Sequence, residues 1–473
     1  MRAKKNINII LIAFCILVVT ASCKKEKLSP LPQTSIPDLL AFETPERIAQ
    51  QVTGVYSGVK NGNFLGGRAI MYGDARGEDW LNVTGNGVTA LQIWNHSVVS
   101  TDNQVEGMWS VAYAAINRAN VVLQGLDDNP TVITSAQANI YRGEIRFLRA
   151  LSFYYLTTFY GKKPYAADNG ASLGVPLRIT PNKGPGAESL VRSTQAQVFT
   201  QILADLTFAE ANLPLNNGGP ENNVVRAHRN AAIALKTRVY LQMGDFTNVI
   251  TEGNKLVPLT PPYTATSGIA HTLNANFTNM FRTPYQALES IFSLPMNNTN
   301  TPGGQNGLSL YHNAEFSLNN TGPGIVLDPN WKATDTRKVL VTASNRYQKY
   351  NDDINNYVAI LRWSEVLLNT AEALARQATG IDARALAILN TVRQRSDATT
   401  TFVPATKADL INLILTERRI EFLGEGHRMW DIQRQGLSFP AKGSAPSVAP
   451  TAQNYVWPIP ASELLYNSAC VPN

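Results

Sequence analysis

The chain has 473 residues, a formal net charge of +6, and 44% hydrophobic against 16% charged residues. Three of its 41 basic residues (Arg2, Lys4 and Lys5) sit in a removable leader, so 38 scattered basic residues face 35 acidic ones, and a clustered nucleic-acid footprint is excluded. The remaining ~450 residues are enough to bury a large core, as one elongated domain or two compact ones.

Residues 1–22 read as an export signal. A basic start precedes the apolar run Ile9 to Val19 and the small residues Ala21 and Ser22. The run is about half of the ~20 residues a spanning helix needs. Thr20-Ala21-Ser22-Cys23 is similar to a bacterial lipoprotein signal, in which Cys23 is lipidated and becomes the first residue. An ordinary signal peptide that happens to contain Cys23 is the other reading. Residues 23–45 then form a tether that Pro30, Pro32 and Pro37 keep extended. One saturated chain binds a membrane only marginally, so stable anchoring takes more than one. Of the other cysteines, Cys15 leaves with the leader and Cys470 has no partner, so neither a disulfide nor a thiolate metal cluster is expected.

Residues 66–87, GGRAIMYGDARGEDWLNVTGNG, read as a loop holding Tyr72 and Trp80. Helical patterning then dominates. Gln104 to Leu126, Ala136 to Tyr160 and Thr194 to Leu213 read as long helices. Ala231, Leu235, Val239 and Met243 recur every four residues, Gly244-Asp245 interrupts, and Phe246, Val249, Ile250, Gly253 and Val257 mark a second helix. That helix-turn-helix unit is similar to a tetratricopeptide repeat. Two more pairs follow. One carries Ile360, Trp363, Leu367, Ala371 and Leu374, then Ile381, Ala385, Ile388 and Val392. The other runs from Lys407 and breaks at Gly424 and Gly426. The expected fold is mostly α, a scaffold of stacked helix pairs with long irregular loops and a few short strands.

Between the first and second of these helix pairs, residues 261–353 differ in kind. Segment 297–324 holds seven Asn, five Gly and two Pro, so half of it is turn-forming. Tyr263, Tyr285, Tyr311, Phe316, Trp331, Tyr347 and Tyr350 are interspersed through the region. Loops this long are usually functional or disordered.

Enzyme chemistry leaves little trace. HExxH, GxSxG and a phosphate-binding glycine loop are all missing, and the five histidines lie far apart. No cofactor and no metal are expected. Glu417 and Glu421, with Arg418 and Arg419 between them, read as salt-bridging residues. Glu78-Asp79 and Asp352-Asp353 read as solvated turn acids that could also hold a cation or polar ligand. Arg362, Glu365, Asn369, Glu372 and Arg376 form a structural polar stripe that can bridge to a neighbouring helix.

The loop aromatics are the candidate ligand-binding residues. A sugar ring has an apolar C–H face and a hydroxyl edge; an aromatic ring covers the face and Asn, Asp or Arg satisfies the edge. Trp80 lies beside Asp79 and Asn82, and Trp331 beside Asp328 and Asn330. With Tyr285 and Tyr311 they make up the candidate set. The plainer alternative is that each tryptophan plugs a loop onto the core.

Several stretches, in order, now bear on family. They are Cys23, PERIAQQVTGVYSGV, ALKTRVYLQMGDF, DTRKVL with YQKYND, LRWSEVLLNTAEALA with ILNTVRQRS, ERRIEFLGEGHRMWDIQRQG and YVWPIPASELLYN. Together they resemble the SusD/RagB family of outer-membrane lipoproteins from Bacteroidetes. The resemblance implies a non-catalytic protein at the cell surface. It would be lipid-anchored to the outer membrane, capture an oligosaccharide and pass it to a SusC-like TonB-dependent transporter. Peptides or another nutrient on the same fold, and a helical glycoside hydrolase with two carboxylates, are the rival readings. The implied organisation is a signal over 1–22, a lipidated tether over 23–45, helix pairs over 46–260, a loop-rich ligand-binding insertion over 261–353, and C-terminal helix pairs and tail over 354–473.

Overall fold

The computed structural model describes residues 40–184, 189–352 and 355–473. Cys23, the leader, residues 23–39 of the tether and Asp353 lie outside the described residues.

Helices form where caps and apolar periodicity coincide. Helix α1 (Pro45–Val59) starts with Pro at its first position, and the Thr44 hydroxyl accepts the Arg47 N–H at 3.3 Å. After α2 (Arg68–Ala75), strand β1 (Trp80–Asn82) and the short α3 (Leu91–Trp94) come two long helices, α4 (Asn103–Asp128) and α5 (Ser135–Tyr160). The stretch read as a loop around Tyr72 is therefore partly helix. A hairpin of β2 (Leu173–Pro176) and β3 (Arg192–Thr194) leads into α6 (Gln195–Asn212). Thr194 opens α6 with a reciprocal capping box to Gln197. Helices α7 (Pro220–Val225), α8 (Arg229–Met243) and α9 (Phe246–Gly253) follow. Gly244 ends α8 at φ 77°, a left-handed turn that favours glycine, and Asp245 then caps α9.

Strands β4 (Ser290–Leu294), β5 (Phe316–Leu318) and β6 (Val358–Arg362) tie the irregular region to the frame. Trp80 of β1 lies opposite Leu318 of β5, and Ser290 of β4 opposite Arg362 of β6, both antiparallel. Ile360 thus belongs to a strand, and α10 (Trp363–Gln377) begins three residues later. The last helices are α11 (Ala383–Ser396), α12 (Lys407–Glu421), α13 (Arg428–Gln433) and α14 (Ala461–Tyr466).

The helices stack in series: α1 on α4, α4 on α5, α5 on α6, α6 on α8, α8 on α9, α9 on α10, and α10 on both α11 and α12. This is a tetratricopeptide-like α-helical array. Helix α8 is central, with every side chain from Asn230 to Val239 buried. Its cations are paired: Lys236 with Glu210 at 2.6 Å and Glu252 at 3.2 Å, Arg238 with Glu365 at 2.6 Å.

A single apolar cluster runs from Ala41 to Cys470 and takes in Phe277, Tyr311, Phe316, Trp331, Tyr347 and Tyr350 of the irregular region. A buried ionic lattice fastens that region to the helices. Arg337 meets Asp335 at 2.7 Å and two carboxylates of α12, Glu417 at 2.7 Å and Glu421 at 2.8 Å. Arg393 also holds Asp335, at 2.8 Å. Arg362 joins Glu421 at 3.0 Å and Glu425 at 2.7 Å, and Lys349 joins Glu425 at 2.7 Å. The chain finally returns to its early helices. Trp457 N–H donates to Phe159 O at 3.1 Å, and Ala461 N–H to Ser100 O at 2.9 Å. The Trp457 ring lies among Tyr72, Phe159 and Tyr160, with centroid distances of 5.5, 4.9 and 5.6 Å.

Candidate functional site

Most of the aromatics proposed from sequence are inside the protein. Trp80 is 0% exposed and stacks on His312 at 4.9 Å and 23°. Trp331 is 1% exposed and meets Tyr347 edge-on at 6.5 Å. Tyr311 is buried and donates its hydroxyl to Gln305 O at 3.1 Å. None of these rings offers a face to a ligand in this conformation, and the plugging alternative describes them. The acids beside Trp80 are also buried, which corrects their reading as solvated turn residues. Asp79 binds Arg419 at 2.8 Å and accepts the Ile325 N–H at 2.8 Å; Glu78 binds Arg428 at 3.0 Å. The two arginines hold the Glu78 carboxyl below its ordinary range although burial alone would raise it. Asn82 is half-buried and shapes its own turn by accepting the Gly85 N–H at 2.8 Å.

Tyr285 is also buried, but it lies against a ring, Tyr357, that is only half-buried. It is 8% exposed and stacks in parallel on Tyr357, with centroids 4.7 Å apart and 12° between planes. Its backbone sits at φ 58°, uncommon for a residue other than glycine. The Asn356 amide donates to the Tyr285 hydroxyl at 3.2 Å, and Tyr357 donates its own to Glu221 at 3.2 Å. Burial, then the Glu221 charge, pushes the Tyr357 phenol up to about 12. It stays a neutral donor at ordinary pH.

Close to this pair along the chain, where Gln286 follows Tyr285 and Pro220 precedes Glu221, opens a cleft of about 300 Å³, lined by Asn216, Pro220, Asn223, His271, Gln286 and Leu288; neither tyrosine is part of its lining. Leu288 is 54% exposed and supplies an apolar wall. His271 donates from Nδ1 to Leu288 O at 2.8 Å, which leaves Nε2 as an acceptor without a protein partner among the described residues. Burial pulls its pKa down to about 4, so the ring is neutral. Amides, a neutral imidazole and a short apolar wall therefore line the cleft, with the stacked tyrosines next along the chain.

Comparison with known proteins identifies the family. Residues 27–241 match the family described as "Starch-binding associating with outer membrane", and residues 296–473 match the SusD family. A SusD superfamily protein of Bacteroides fragilis is 33% identical, superposes with a TM-score of 0.83, and the match covers 91% of this chain and 99% of that one. The chain belongs to the SusD/RagB family. A SusD-like protein of Formosa agariphila is 23% identical over 91% of this chain and 92% of its own length. A laminarin-binding SusD-like protein shares the fold at a TM-score of 0.71 and 21% identity, over 91% of this chain and 99% of that one.

In this SusD-like chain, sequence reasoning missed Tyr357. It stands just before the apolar pattern that leads to α10 and follows Asn355 and Asn356, in the same turn-rich setting as the other aromatics. Among the described residues no group of three or more His, Cys, Asp or Glu side chains is arranged to hold a metal, and no helix is long and apolar enough to cross a membrane.

Proposed function

We propose that this SusD-like protein captures a neutral oligosaccharide, without cleaving it, in the cleft beside Tyr357. The observation that carries this reading is a cleft lined by Asn216, Asn223 and Gln286, to which the Tyr285–Tyr357 stack is joined through the chain neighbours Gln286 and Glu221. The stack gives a sugar ring a flat apolar contact, and the amides both donate and accept, as hydroxyl groups require. The family's described association with starch and the outer membrane, and the laminarin-binding neighbour, support a glucan as cargo. In the same reading, lipidated Cys23 moors the protein to the outer membrane facing the cell exterior, and a SusC-like TonB-dependent transporter takes the cargo. Affinity is modest, because each sugar hydroxyl exchanges water hydrogen bonds for protein ones with little net gain.

Calorimetry with starch- and laminarin-derived hexasaccharides, and with a peptide pool, tests it. Tyr357→Ala is expected to weaken hexasaccharide binding by about tenfold, equivalent to about 1.4 kcal/mol. Unchanged affinity would remove the cleft from the proposal, and heat only with peptides would replace the glycan by a peptide.

A further inference from the structure

A second concavity lies elsewhere on the molecule and shares no lining residue with the Tyr357 cleft. Helix α4 forms its floor, α14 one wall, and segment 177–182 the other; its volume is about 600 Å³, within the range of small-molecule sites. Trp109 and Tyr113 lie at the base, with ring centroids 4.9 Å apart. Both are fixed by hydrogen bonds, Trp109 Nε1 to Glu463 at 3.2 Å and the Tyr113 hydroxyl to Pro176 O at 2.7 Å. At the rim stands Tyr466, 71% exposed. It is the one aromatic side chain among the described residues that the fold leaves in the exposed class, although it lies at the edge of a groove with aromatic rings at its base.

The charges narrow what this groove accepts. Glu106 and Glu463 line it with Arg178, so the side chains carry one net negative charge and disfavour an anion. Each carboxylate is already engaged. Glu463 pairs with Arg178 at 3.2 Å, and Glu106 accepts the Ser462 hydroxyl. A cation would therefore have to compete with existing partners. A neutral polyol does not: its hydroxyls use the remaining lone pairs, while an apolar sugar face rests on Tyr466. We infer that the α4–α14 groove is a second saccharide subsite, for the same class of neutral glycan as the Tyr357 cleft. This inference rests on the reading of the protein as a glycan binder.

Calorimetry and saturation-transfer NMR on the folded protein, with the same starch- and laminarin-derived hexasaccharides, test it on wild type, Tyr357→Ala, Tyr466→Ala and the double variant. Tyr466 is exposed, so its removal should leave circular dichroism unchanged. The expected result is that each single variant loses one of two binding events and the double variant loses both. If Tyr466→Ala binds as wild type while Tyr357→Ala is impaired, the groove is not a saccharide site and the cleft reading stands. If only Tyr466→Ala is impaired, the cleft reading fails and the groove stands. A wild type that binds neither glucan overturns both. Loss of a protein partner from Tyr466→Ala with glucan binding intact makes the groove a protein contact and overturns the subsite.

Discussion

Asp74, in α2, illustrates how far burial can move a single group. Burial pushes its carboxyl up to about 7 from an ordinary 3.8, although it accepts backbone N–H groups from Gly424 at 2.6 Å and Arg428 at 3.3 Å. The folded state therefore holds a proton that the unfolded chain has released between about pH 4 and 7, so this group's contribution to stability falls as pH rises through that window. Glu372, Asp431 and Glu421 act the other way. Burial alone would raise them, but neighbouring arginines hold all three low, so their contribution is present above the ordinary carboxylate range and lost as pH falls through their lowered values. Burial also holds His96, His228, His271, His312 and His427 neutral, so below about pH 6.5 the unfolded chain takes up protons that the folded state refuses, and stability rises with pH up to that point. These five groups outnumber Asp74, so the melting temperature should rise from pH 4 toward 6.5, and Asp74→Asn should steepen that rise. Scanning calorimetry across pH 4–8 checks this; a wild-type profile that falls from 5 to 6.5 would contradict it. The same scale explains why the tryptophans misled. Trp80 does stand beside acids and an amide, but composition cannot say whether those acids face water. Asp79 is neutralised by Arg419, 340 positions away, and nothing local in the sequence announces that pairing.

Packing between elements is close where α9 meets α10. A Cβ added at Gly253 would lie 2.3 Å from the Thr370 hydroxyl oxygen, which is itself bonded to Val366 O at 2.7 Å. Gly253→Ala should therefore force the two helices apart and destabilise the protein by about 1–3 kcal/mol. Urea unfolding measures this, and a neutral or stabilising effect would show that the contact relaxes freely. At this scale the sequence was most informative. Thr194 to Leu213 was expected and α6 is Gln195–Asn212, with Thr194 as its cap. Gly244-Asp245 was expected as a break and is the left-handed turn between α8 and α9. Helices repeat an apolar signal over several turns, so the pattern outlasts local noise. The strands are three to five residues long, and β1 pairs with β5 across most of the irregular region and the frame between them. Such short segments carry too few alternations to be read.

Across the molecule, the ionic lattice makes the irregular region and the helices one body. Arg337 is fully buried; burial would lower its pKa, but Glu417, Asp335 and Glu421 raise it well above the ordinary value. Arg337→Met removes the shared cation and leaves these carboxylates short of a partner. Destabilisation of about 3–5 kcal/mol is expected, since breaking a buried pair strands the opposite charge. Chemical denaturation followed by both tryptophan fluorescence and circular dichroism checks it, with the two signals moving together because one core spans the chain. A loss under 1 kcal/mol would mean that the lattice reorganises around the gap. The Glu417–Glu421 spacing did indicate salt bridging. Its partners are Arg337, Arg393, Arg395 and Arg362, because Arg418 and Arg419 point to other faces of α12 and bind Asp431 and Asp79.

The homeward path of residues 455–473 also bears on biogenesis. A polypeptide delivered amino end first has α2 and α5 long before Trp457 arrives to fill the slot between Tyr72, Phe159 and Tyr160. Until then an aromatic crevice stays open to water. Docking of this stretch covers that aromatic surface, of the kind that makes incompletely folded chains prone to aggregate.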